Sequence, residues 1–502
     1  MKVKKFIPVI LAYISIVFIC VSFASCGNEA DVSGGGGNND PEGGTQSGRT
    51  AEEAALGDIP EENYNGHEFK ILISINSLAA VWNDFHAENE TGDVINDAIY
   101  KRNRYVEDKY NIKISDTEAP PTEDEVNRPD TQKAIKNFVQ SGDYAYDAFM
   151  LTGYAASELA LGGFLMDMNN MNPIDLTKPW WDQKANADLM LKNKMFYTTG
   201  DISNVTNQAT FAIMFNKKML SDYGLESPYD FVKSGEWTYS KLNEMCVDVS
   251  ADLNGDGKYN FDDRYGALIW GDTMLAAVNS IGEKCVQVNN NGELELALNN
   301  ERVLSAFNNF TELAFDKIRS FQYQNNGDWS DVKSTAMFEN GQALFYLKTM
   351  QMSLLLRAME TDFGILPYPK LDKSQQNYYS TVSSWDSGFI CVPAVQEDEY
   401  RTAAILEALA AESANTVKPA YYDLSLKGKY ARDEESEEML DLIFSSKTYD
   451  LGWFYRVGMY YAQMMYLNYN YDTNFASMYE KNYDAAVSDL NKINETFAGI
   501  LN

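Results

Sequence analysis

Apolar residues in the first part of the chain follow two spacings, which indicate strands that alternate with helices. The run Phe69–Asn76 is short, apolar and rich in isoleucine, whereas the apolar residues of 94–106 recur every three or four positions. The same alternation of a strand and a helix continues through 111–115, 131–139 and 146–153. Repeated β–α units predict an α/β fold with a mostly parallel sheet.

A second series of strands and helices begins at Phe211–Leu220. We expect helices near 240–249 and 301–315 and a strand at 341–348, because apolar residues fall at the matching spacings. The segment FGILPYPK at 363–370 contains two prolines, which exclude a helix. We expect this extended segment to cross between two lobes.

The last part of the chain is predicted to be mainly helical after one more strand at 387–394. A helix over 399–412 places three apolar residues on one face, and the acidic residues of 433–438 suit the N-terminus of another helix. The chain has 502 residues, of which 45% are hydrophobic, and a single core stops growing at about 250–300 residues. Two domains are therefore expected.

The N-terminus has the pattern of a secretory signal. Three lysines within the first five residues precede the apolar run 6–23, and Ala24 and Ser25 then lead to Cys26. The pattern resembles a bacterial lipoprotein signal, although Phe23 stands where leucine is usual. The resemblance implies that residues 1–25 are removed and that Cys26 receives lipid.

A signal-anchor helix that is never cut is the alternative, since the apolar run approaches the roughly 20 residues that span a bilayer. Residues 26–66 favour lipidation, because their glycines and asparagines form a flexible polar tether. A folded body attached by this tether would lie at the extracellular face of the cell membrane.

Cysteine content and charge limit the chemistry outside the membrane. Beyond Cys20 and Cys26, only Cys246, Cys285 and Cys391 remain, and an odd number argues against a disulfide framework. Three buried thiols are expected, and a bridge between Cys246 and Cys285 stays open as the alternative. The formal net charge of −32 makes nucleic acid and anionic ligands poor partners and favours solubility.

Five phrases in the second half occur in the order of a known family. They are FNKKML at 215–220, GEWTYSKLNEM at 235–245, DLNGDGKYNFDDRYG at 252–266, FENGQALFYL at 338–347 and ILPYPK at 365–370. Their series resembles the extracellular solute-binding proteins of sugar-type ABC importers. The N-terminal half matches the family only in its pattern of strands and helices.

The resemblance implies a type II periplasmic-binding-protein fold, in which two α/β lobes are joined by hinge strands and close over a ligand cleft. By the family's chain path, the first lobe would comprise 67–204 and 363–412, and the second 205–362 and 413–502. The implied function is the capture of a small solute, a carbohydrate, by a monomer that delivers it unaltered to ABC permease subunits. Trp237, which precedes a predicted helix, is interpreted as structural.

One loop matches the spacing of an EF-hand calcium site, with Gly257 at position 6 of the loop and aspartate instead of glutamate at position 12. The predicted ligands at positions 1, 3, 5, 7, 9 and 12 are Asp252, Asn254, Asp256, Lys258 through its carbonyl, Asn260 and Asp263. A turn rich in asparagine, aspartate and glycine that binds no metal is the alternative. A single loop predicts a structural Ca²⁺ rather than a calcium sensor.

Candidate ligand contacts follow from where strands end and from what a sugar offers. In open α/β sheets the ligand lies beyond the carboxyl ends of the strands, and sugars combine apolar ring faces with hydroxyls. Aromatic, carboxylate and amide side chains near predicted strand ends are Asn76, Trp82, Tyr154, Trp181, Asp182, Trp385 and Asp386. Packing in the core is the alternative for each tryptophan.

Two other functions remain open. A lipid-anchored glycoside hydrolase needs only two carboxylates in an aromatic cleft, and the chain has 73 acidic residues. Histidine chemistry is disfavoured, because His67 and His86 are the only histidines and no HExxH, GxSxG or GxxxxGK[ST] motif is present. The second alternative, a SusD-type surface glycan-binding lipoprotein, has an all-α body, which conflicts with the predicted β–α alternation.

Overall fold

The structure is a computed structural model, and it describes residues 59, 62–75, 84–119, 129–356, 359–422 and 434–499. The predicted signal 1–25, the lipidation site Cys26, and the candidate ligand residues Asn76 and Trp82 lie outside these ranges. The strands are β1 (His67–Ser74), β2 (Ile112–Glu118), β3 (Ala148–Leu151), β4 (Phe211–Asn216), β5 (Tyr265–Ile269), β6 (Val286–Val288), β7 (Leu294–Leu296), β8 (Ser320–Gln322), β9 (Ala343–Thr349), β10 (Phe363–Leu366), β11 (Ser380–Thr381), β12 (Phe389–Cys391) and β13 (Lys447–Thr448).

Helices follow most of these strands, at the places where the apolar residues recur at helical spacing. They are Val94–Tyr110, Pro129–Ser141, Gly153–Leu161, Gln183–Leu189, Val205–Gln208, Lys217–Tyr223, Pro228–Ser234, Tyr239–Met245, Thr273–Asn279, Glu301–Ala314, Val332–Glu339, Gln351–Leu355, Glu399–Asn415, Val417–Tyr422, Glu434–Ser445, Leu451–Phe454, Tyr460–Asn470 and Phe475–Phe497. The alternation predicted from the sequence is confirmed.

The first sheet has four strands in the order β12-β3-β1-β2. Strand β1 is parallel to both β2 and β3, and β12 is antiparallel to β3. All four residues of β3 are buried, as expected for an apolar strand in a sheet that is covered on both faces. The antiparallel pairing of β12 places its first residue, Phe389, opposite the last residue of β3, Leu151.

The second sheet has five strands in the order β10-β4-β9-β5-β8. Strands β9, β5 and β8 are parallel neighbours, whereas β4 is antiparallel to both β9 and β10. Both sheets are therefore mixed. The first β–α series was predicted to form a mostly parallel sheet, and in the first sheet only β12 is antiparallel to its neighbour. Since these sheets carry much of the described core, the all-α body of the SusD-type alternative is contradicted.

The segment 363–370 does not cross between lobes. Its first four residues form β10 on the edge of the second sheet, and the Trp237 indole then donates to the carbonyl of Pro367 at 2.9 Å. The prolines exclude a helix, as predicted, but they do not fix the partner of an extended segment. The prediction placed 363–412 together in the first lobe, whereas β10 pairs with the second sheet; the other lobe boundaries stay a prediction.

Two neighbouring stretches connect the sheets instead. The chain passes from the first sheet to β4 through 204–210 and returns to β12 through 382–388. The amide of Ser383 donates to the carbonyl of Ala209 at 2.9 Å, and Thr210 forms a bridge with Val382. The first stretch contains the helix Val205–Gln208, and the second contains a turn at 384–386. The two connections therefore pair at the Thr210–Val382 bridge instead of forming the extended hinge strands that the fold class predicts.

A buried arginine joins the helix Val94–Tyr110 to its surroundings. The Arg102 guanidinium donates to the carbonyl of Ile202 at 3.3 Å and to the Ser413 hydroxyl at 3.2 Å. Burial lowers the pKa of Arg102 to about 10. These bonds span residues that are far apart in the sequence, so the first sheet's helical cover is held by long-range contacts.

The remaining cysteines are free thiols. Cys246, Cys285 and Cys391 are all buried and unbridged, which confirms the sequence expectation, and burial raises the pKa of each thiol. Trp237 is also fully buried, as its structural interpretation requires. Across the described ranges, no helix has the length and apolar composition that a membrane crossing demands.

Candidate functional site

The carboxyl ends of strands in the second sheet and the segment that precedes β12 of the first sheet meet at one pocket of about 390 Å³. Asp272, Gln324 and Lys348 come from the ends of the parallel strands β5, β8 and β9, so they lie on one edge of the second sheet. Trp385 and Asp386 come from the hinge segment that leads into β12. This position is where open α/β sheets bind ligands.

Aromatic rings form much of the pocket wall. Trp270, Trp329, Trp385, Tyr461 and Tyr469 line it. The rings of Trp329 and Tyr469 are 5.9 Å apart in an edge-to-face arrangement, and Trp329 is 65% exposed. An exposed indole beside an open pocket offers a flat apolar face to a ligand.

Tyr154 supports this wall from the first sheet. It follows β3 at the start of the helix Gly153–Leu161 and is buried. Its ring lies 6.3 Å from the ring of Trp385 and 5.3 Å from that of Tyr461, and the Arg456 guanidinium lies 5.7 Å from it. Tyr154 therefore holds two of the lining aromatic rings in place.

Gln324 fixes the aromatic wall on the side of the second sheet. Its side-chain oxygen accepts hydrogen bonds from the Tyr469 hydroxyl at 2.8 Å and from the Gly271 amide at 3.1 Å. A side chain at Gly271 would collide with the ring of Tyr469, so glycine is required for this close approach.

A buried ion pair lies at the polar side of the pocket. The Lys348 ammonium is 3.1 Å from Oδ2 of Asp331, and the two side chains are 2% and 3% exposed. The same ammonium lies 3.5 Å from the ring centroid of Trp270, which is the geometry of a cation–π contact. Lys348 is the only lysine that lines this pocket among the described residues.

Two further carboxylates lie near this lysine. Burial raises the pKa of Asp386 to about 6 and that of Asp272 to about 7, and Lys348 lowers both pKa values in part. The negative charge of Asp386 also contributes to the raised pKa of Asp272, and the Tyr461 hydroxyl donates to Asp272. The pocket thus combines aromatic faces with carboxylates that can accept hydrogen bonds from hydroxyls.

The structure brings three of the predicted ligand residues together. Trp385 and Asp386 line the pocket, and Tyr154 contacts the ring of Trp385 from behind. Trp385 is half-buried, whereas Asp386 is 1% exposed.

Trp181 and Asp182 lie elsewhere in the fold. The indole of Trp181 donates to Glu407 at 2.8 Å, and Trp180 donates to the other oxygen of the same carboxylate at 3.0 Å. Burial raises the pKa of Glu407 to about 7. Asp182 begins the helix Gln183–Leu189, accepting from its first amides, and pairs with Lys447. Both residues border a separate, more polar cavity of about 530 Å³.

Several lining residues were not singled out from the sequence. They are Trp270, Asp272, Gln324, Trp329, Asp331, Lys348, Arg456, Tyr461 and Tyr469. Trp270 and Asp272 directly follow β5, so the rule on carboxyl ends of strands identifies them once that strand is recognised. The tyrosines come from a C-terminal helix, and no local pattern connects that helix to the pocket.

The predicted calcium loop has the expected backbone but not a converged set of carboxylates. Gly255 and Gly257 have positive φ angles of 73° and 76°, as a sharp turn requires. Asp263 is buried, and its two oxygens accept from the amides of Leu253 at 3.0 Å and Asn260 at 2.8 Å. Among the described residues, no three His, Cys, Asp or Glu side chains are grouped closely enough to hold a metal ion.

No protein-family model matches the chain, and no curated protein matches it. Solved structures with the same fold include the cyclic α-maltosyl-1,6-maltose binding protein from Arthrobacter globiformis, with 13% identity, a TM-score of 0.56, and coverage of 85% of this chain and 99% of that chain. The maltose/maltodextrin-binding domain from Bdellovibrio bacteriovorus has 11% identity, a TM-score of 0.54, and coverage of 85% and 99%.

An ABC substrate-binding protein from Listeria monocytogenes has 13% identity, a TM-score of 0.52, and coverage of 86% and 99%. The similarity therefore extends over nearly the whole length of these proteins, and it confirms the two-lobed architecture expected from the sequence. The chain has the α/β fold of the periplasmic binding proteins, with its pocket between the carboxyl ends of strands in the second sheet and the segment that leads into β12.

Proposed function

We propose that this protein captures a carbohydrate in the pocket lined by Trp385 and Asp386 and delivers it unaltered to the permease of an ABC importer. The observation that carries this proposal is the combination of aromatic faces and buried carboxylates between the carboxyl ends of strands in the second sheet and the segment that leads into β12. Ring faces of a sugar pack on the aromatic side chains, and its hydroxyls donate to the carboxylates.

The fold supports the same proposal. The solved structures that share it include complexes with cycloalternan, maltotetraose and maltotriose. Capture without cleavage separates this function from the glycoside hydrolase alternative. We expect glycans that bind to be recovered intact after prolonged incubation with the protein, and the appearance of shorter products would favour the hydrolase.

Replacement of Trp385 by alanine is expected to weaken sugar binding at least about tenfold, which corresponds to about 1.4 kcal/mol. The change removes a half-buried aromatic face from the pocket wall. Tyr144, which is 56% exposed and outside the pocket lining, provides the matched aromatic control as Tyr144→Ala. Calorimetric titration with the sugars that bind measures both variants, and equal affinities for the two would remove Trp385 from the site.

We infer that Cys26 carries lipid and holds the protein at the extracellular face of the membrane. The inference is supported by the apolar run 6–23, the small residues that follow it and the polar segment after Cys26. The mass of the protein recovered from membranes is expected to match a chain that begins at a lipid-bearing Cys26, and Cys26→Ser is expected to lose the lipid mass. A wild-type mass that includes residues 1–25 and no lipid would favour the uncut signal-anchor helix instead.

We also propose that the loop 252–263 binds Ca²⁺ as a structural ion. Its oxygen-bearing residues at EF-hand spacing support the proposal, although the carboxylate of Asp263 must exchange its amide partners for the ion. Excess calcium is expected to raise the melting temperature above that in excess chelator, and Asp256→Asn to reduce this difference. Asp262→Asn, in the same loop but not at a ligand position, is the control. Equal melting temperatures in excess calcium and in excess chelator would contradict the proposal.

A further inference from the structure

Three carboxylates in the pocket share one ammonium. Asp331 forms the close ion pair with Lys348, and their charges cancel. Asp272 and Asp386 interact electrostatically with the same lysine, while the charge of Asp331 acts against both of them. The cluster therefore holds one positive charge against as many as three negative charges.

The other cation of the pocket does not correct this imbalance. Arg456 lines the pocket, and its guanidinium lies over the ring of Tyr154 at 5.7 Å from the centroid. It forms no ion pair with Asp272, Asp331 or Asp386 in the described part of the chain. Among the residues that the structure describes, negative charge is thus left uncompensated on the polar side of the pocket.

Asp386 also has an unused hydrogen-bonding position. Its Oδ1 atom is buried and accepts no hydrogen bond of normal geometry among the described residues, while Oδ2 lies 3.5 Å from the Gln351 side-chain nitrogen. The nearby Ser383 side chain lowers the pKa of Asp386 but does not offset the effect of burial, which raises it. The side chain is 1% exposed, yet it borders the cavity. A buried carboxylate oxygen without a donor is costly, so it indicates a group that the ligand supplies.

The chemistry of that group follows from the charge. A sugar hydroxyl would donate one hydrogen bond and leave the charge of the cluster unchanged, whereas an ammonium has three N–H donors and also neutralises the carboxylate. The aromatic faces of Trp385 and Tyr461 add a favourable environment for a cation. Both features of the pocket therefore fit a cationic ligand better than a neutral one.

We propose that the carbohydrate bound by this pocket is an amino sugar, whose ammonium group donates to Oδ1 of Asp386. This inference rests on the proposed capture of a carbohydrate and specifies the class of sugar. Asp386 is then the residue that selects the charged sugar. Asp272 lies near enough to Asp386 to share the added positive charge.

Matched pairs of sugars test the proposal. Glucosamine and glucose, galactosamine and galactose, mannosamine and mannose, and the disaccharide of glucosamine with cellobiose differ within each pair by ammonium groups in place of hydroxyls. In every pair that binds at neutral pH, we expect the amino sugar to bind at least about tenfold more tightly, as one charge-assisted hydrogen bond in a buried site allows. Calorimetric titration of the full folded protein measures each affinity.

Asp386→Asn keeps the shape of the side chain and removes its charge. We expect the variant to lose the preference for the amino sugar, so that the two members of a pair bind with affinities within about threefold of each other. Asp143→Asn, an exposed position that does not line the pocket, is the control and should keep the preference. The melting temperature of Asp386→Asn verifies that it is folded.

Three results would overturn the proposal, and they separate it from the proposed function. Equal or tighter binding of the neutral sugars would leave carbohydrate capture intact and remove the amino-sugar class. Equal weakening of both members of a pair by Asp386→Asn would assign the carboxylate to hydroxyls. Failure of every sugar in the panel to bind would overturn both the class and the proposed capture of a carbohydrate.

Discussion

Replacement of Lys348 by methionine is expected to lower the free energy of unfolding by about 3–5 kcal/mol, the range for removing one partner of a buried ion pair. Methionine keeps most of the apolar length of the side chain, but it leaves Asp331 buried without its ammonium. Asp272 and Asp386 also lose the attraction that partly offsets their burial. Urea denaturation followed by tryptophan fluorescence measures the change.

A double variant and a surface variant control this result. Lys348→Met together with Asp331→Leu removes both charges, and we expect it to recover part of the lost stability, since the uncompensated carboxylate is gone. Lys218 pairs with Asp222 on the surface, where Lys218→Met should cost at most about 1 kcal/mol. A Lys348→Met variant as stable as Lys218→Met would show that the buried pair contributes nothing.

Asp386→Asn is expected to stabilise the unliganded protein at pH 7.5 while it weakens ligand binding. Burial raises the pKa of Asp386 from 3.8 to about 6, so the folded state disfavours the ionised form. The folded protein therefore binds this proton more tightly than the unfolded chain, and its stability falls as the pH rises between about 4 and 6. A neutral amide avoids this cost, which is on the order of 3 kcal/mol at pH 7.5.

Thermal unfolding without ligand, between pH 4.5 and pH 7.5, measures this effect. Wild-type protein should lose more stability than Asp386→Asn as the pH rises through the window. Asp272, whose pKa burial raises to about 7, contributes in the same direction in both proteins. The control Asp143→Asn should follow the wild-type curve. If Asp386→Asn melts below wild type at pH 7.5 and keeps the wild-type slope, the buried charge does not destabilise the fold.

Periodicity predicts the elements well because it depends on local sequence. The helix Val94–Tyr110 and the strand β3 follow directly from the spacing of apolar residues. Strand partners are set by contacts far apart in the chain, so FGILPYPK gives extended backbone without showing that β10 pairs with β4. The antiparallel pairs in both sheets were not predicted for the same reason, since a strand's sequence does not encode its direction relative to its neighbours.

The sequence predicts those residues of the candidate site whose neighbours in the chain are small and polar. Trp385 and Asp386 follow Ser383 and Ser384, and such a segment does not suit a packed core. Local sequence does not distinguish Trp181 from a ligand-binding residue, because the Glu407 carboxylate that accepts a hydrogen bond from its indole lies 226 residues away in the chain. Lys348 was missed because it ends a buried, apolar strand, where a sequence pattern predicts core packing.

The segment 382–388 has two structural roles. It connects the sheets, and it carries the indole of Trp385 and the carboxylate of Asp386 into the cavity. Any ligand that those two side chains bind is therefore held by the segment that connects the two sheets. In the proposed capture of a sugar, the ligand thus acts directly on the connection between the two sheets.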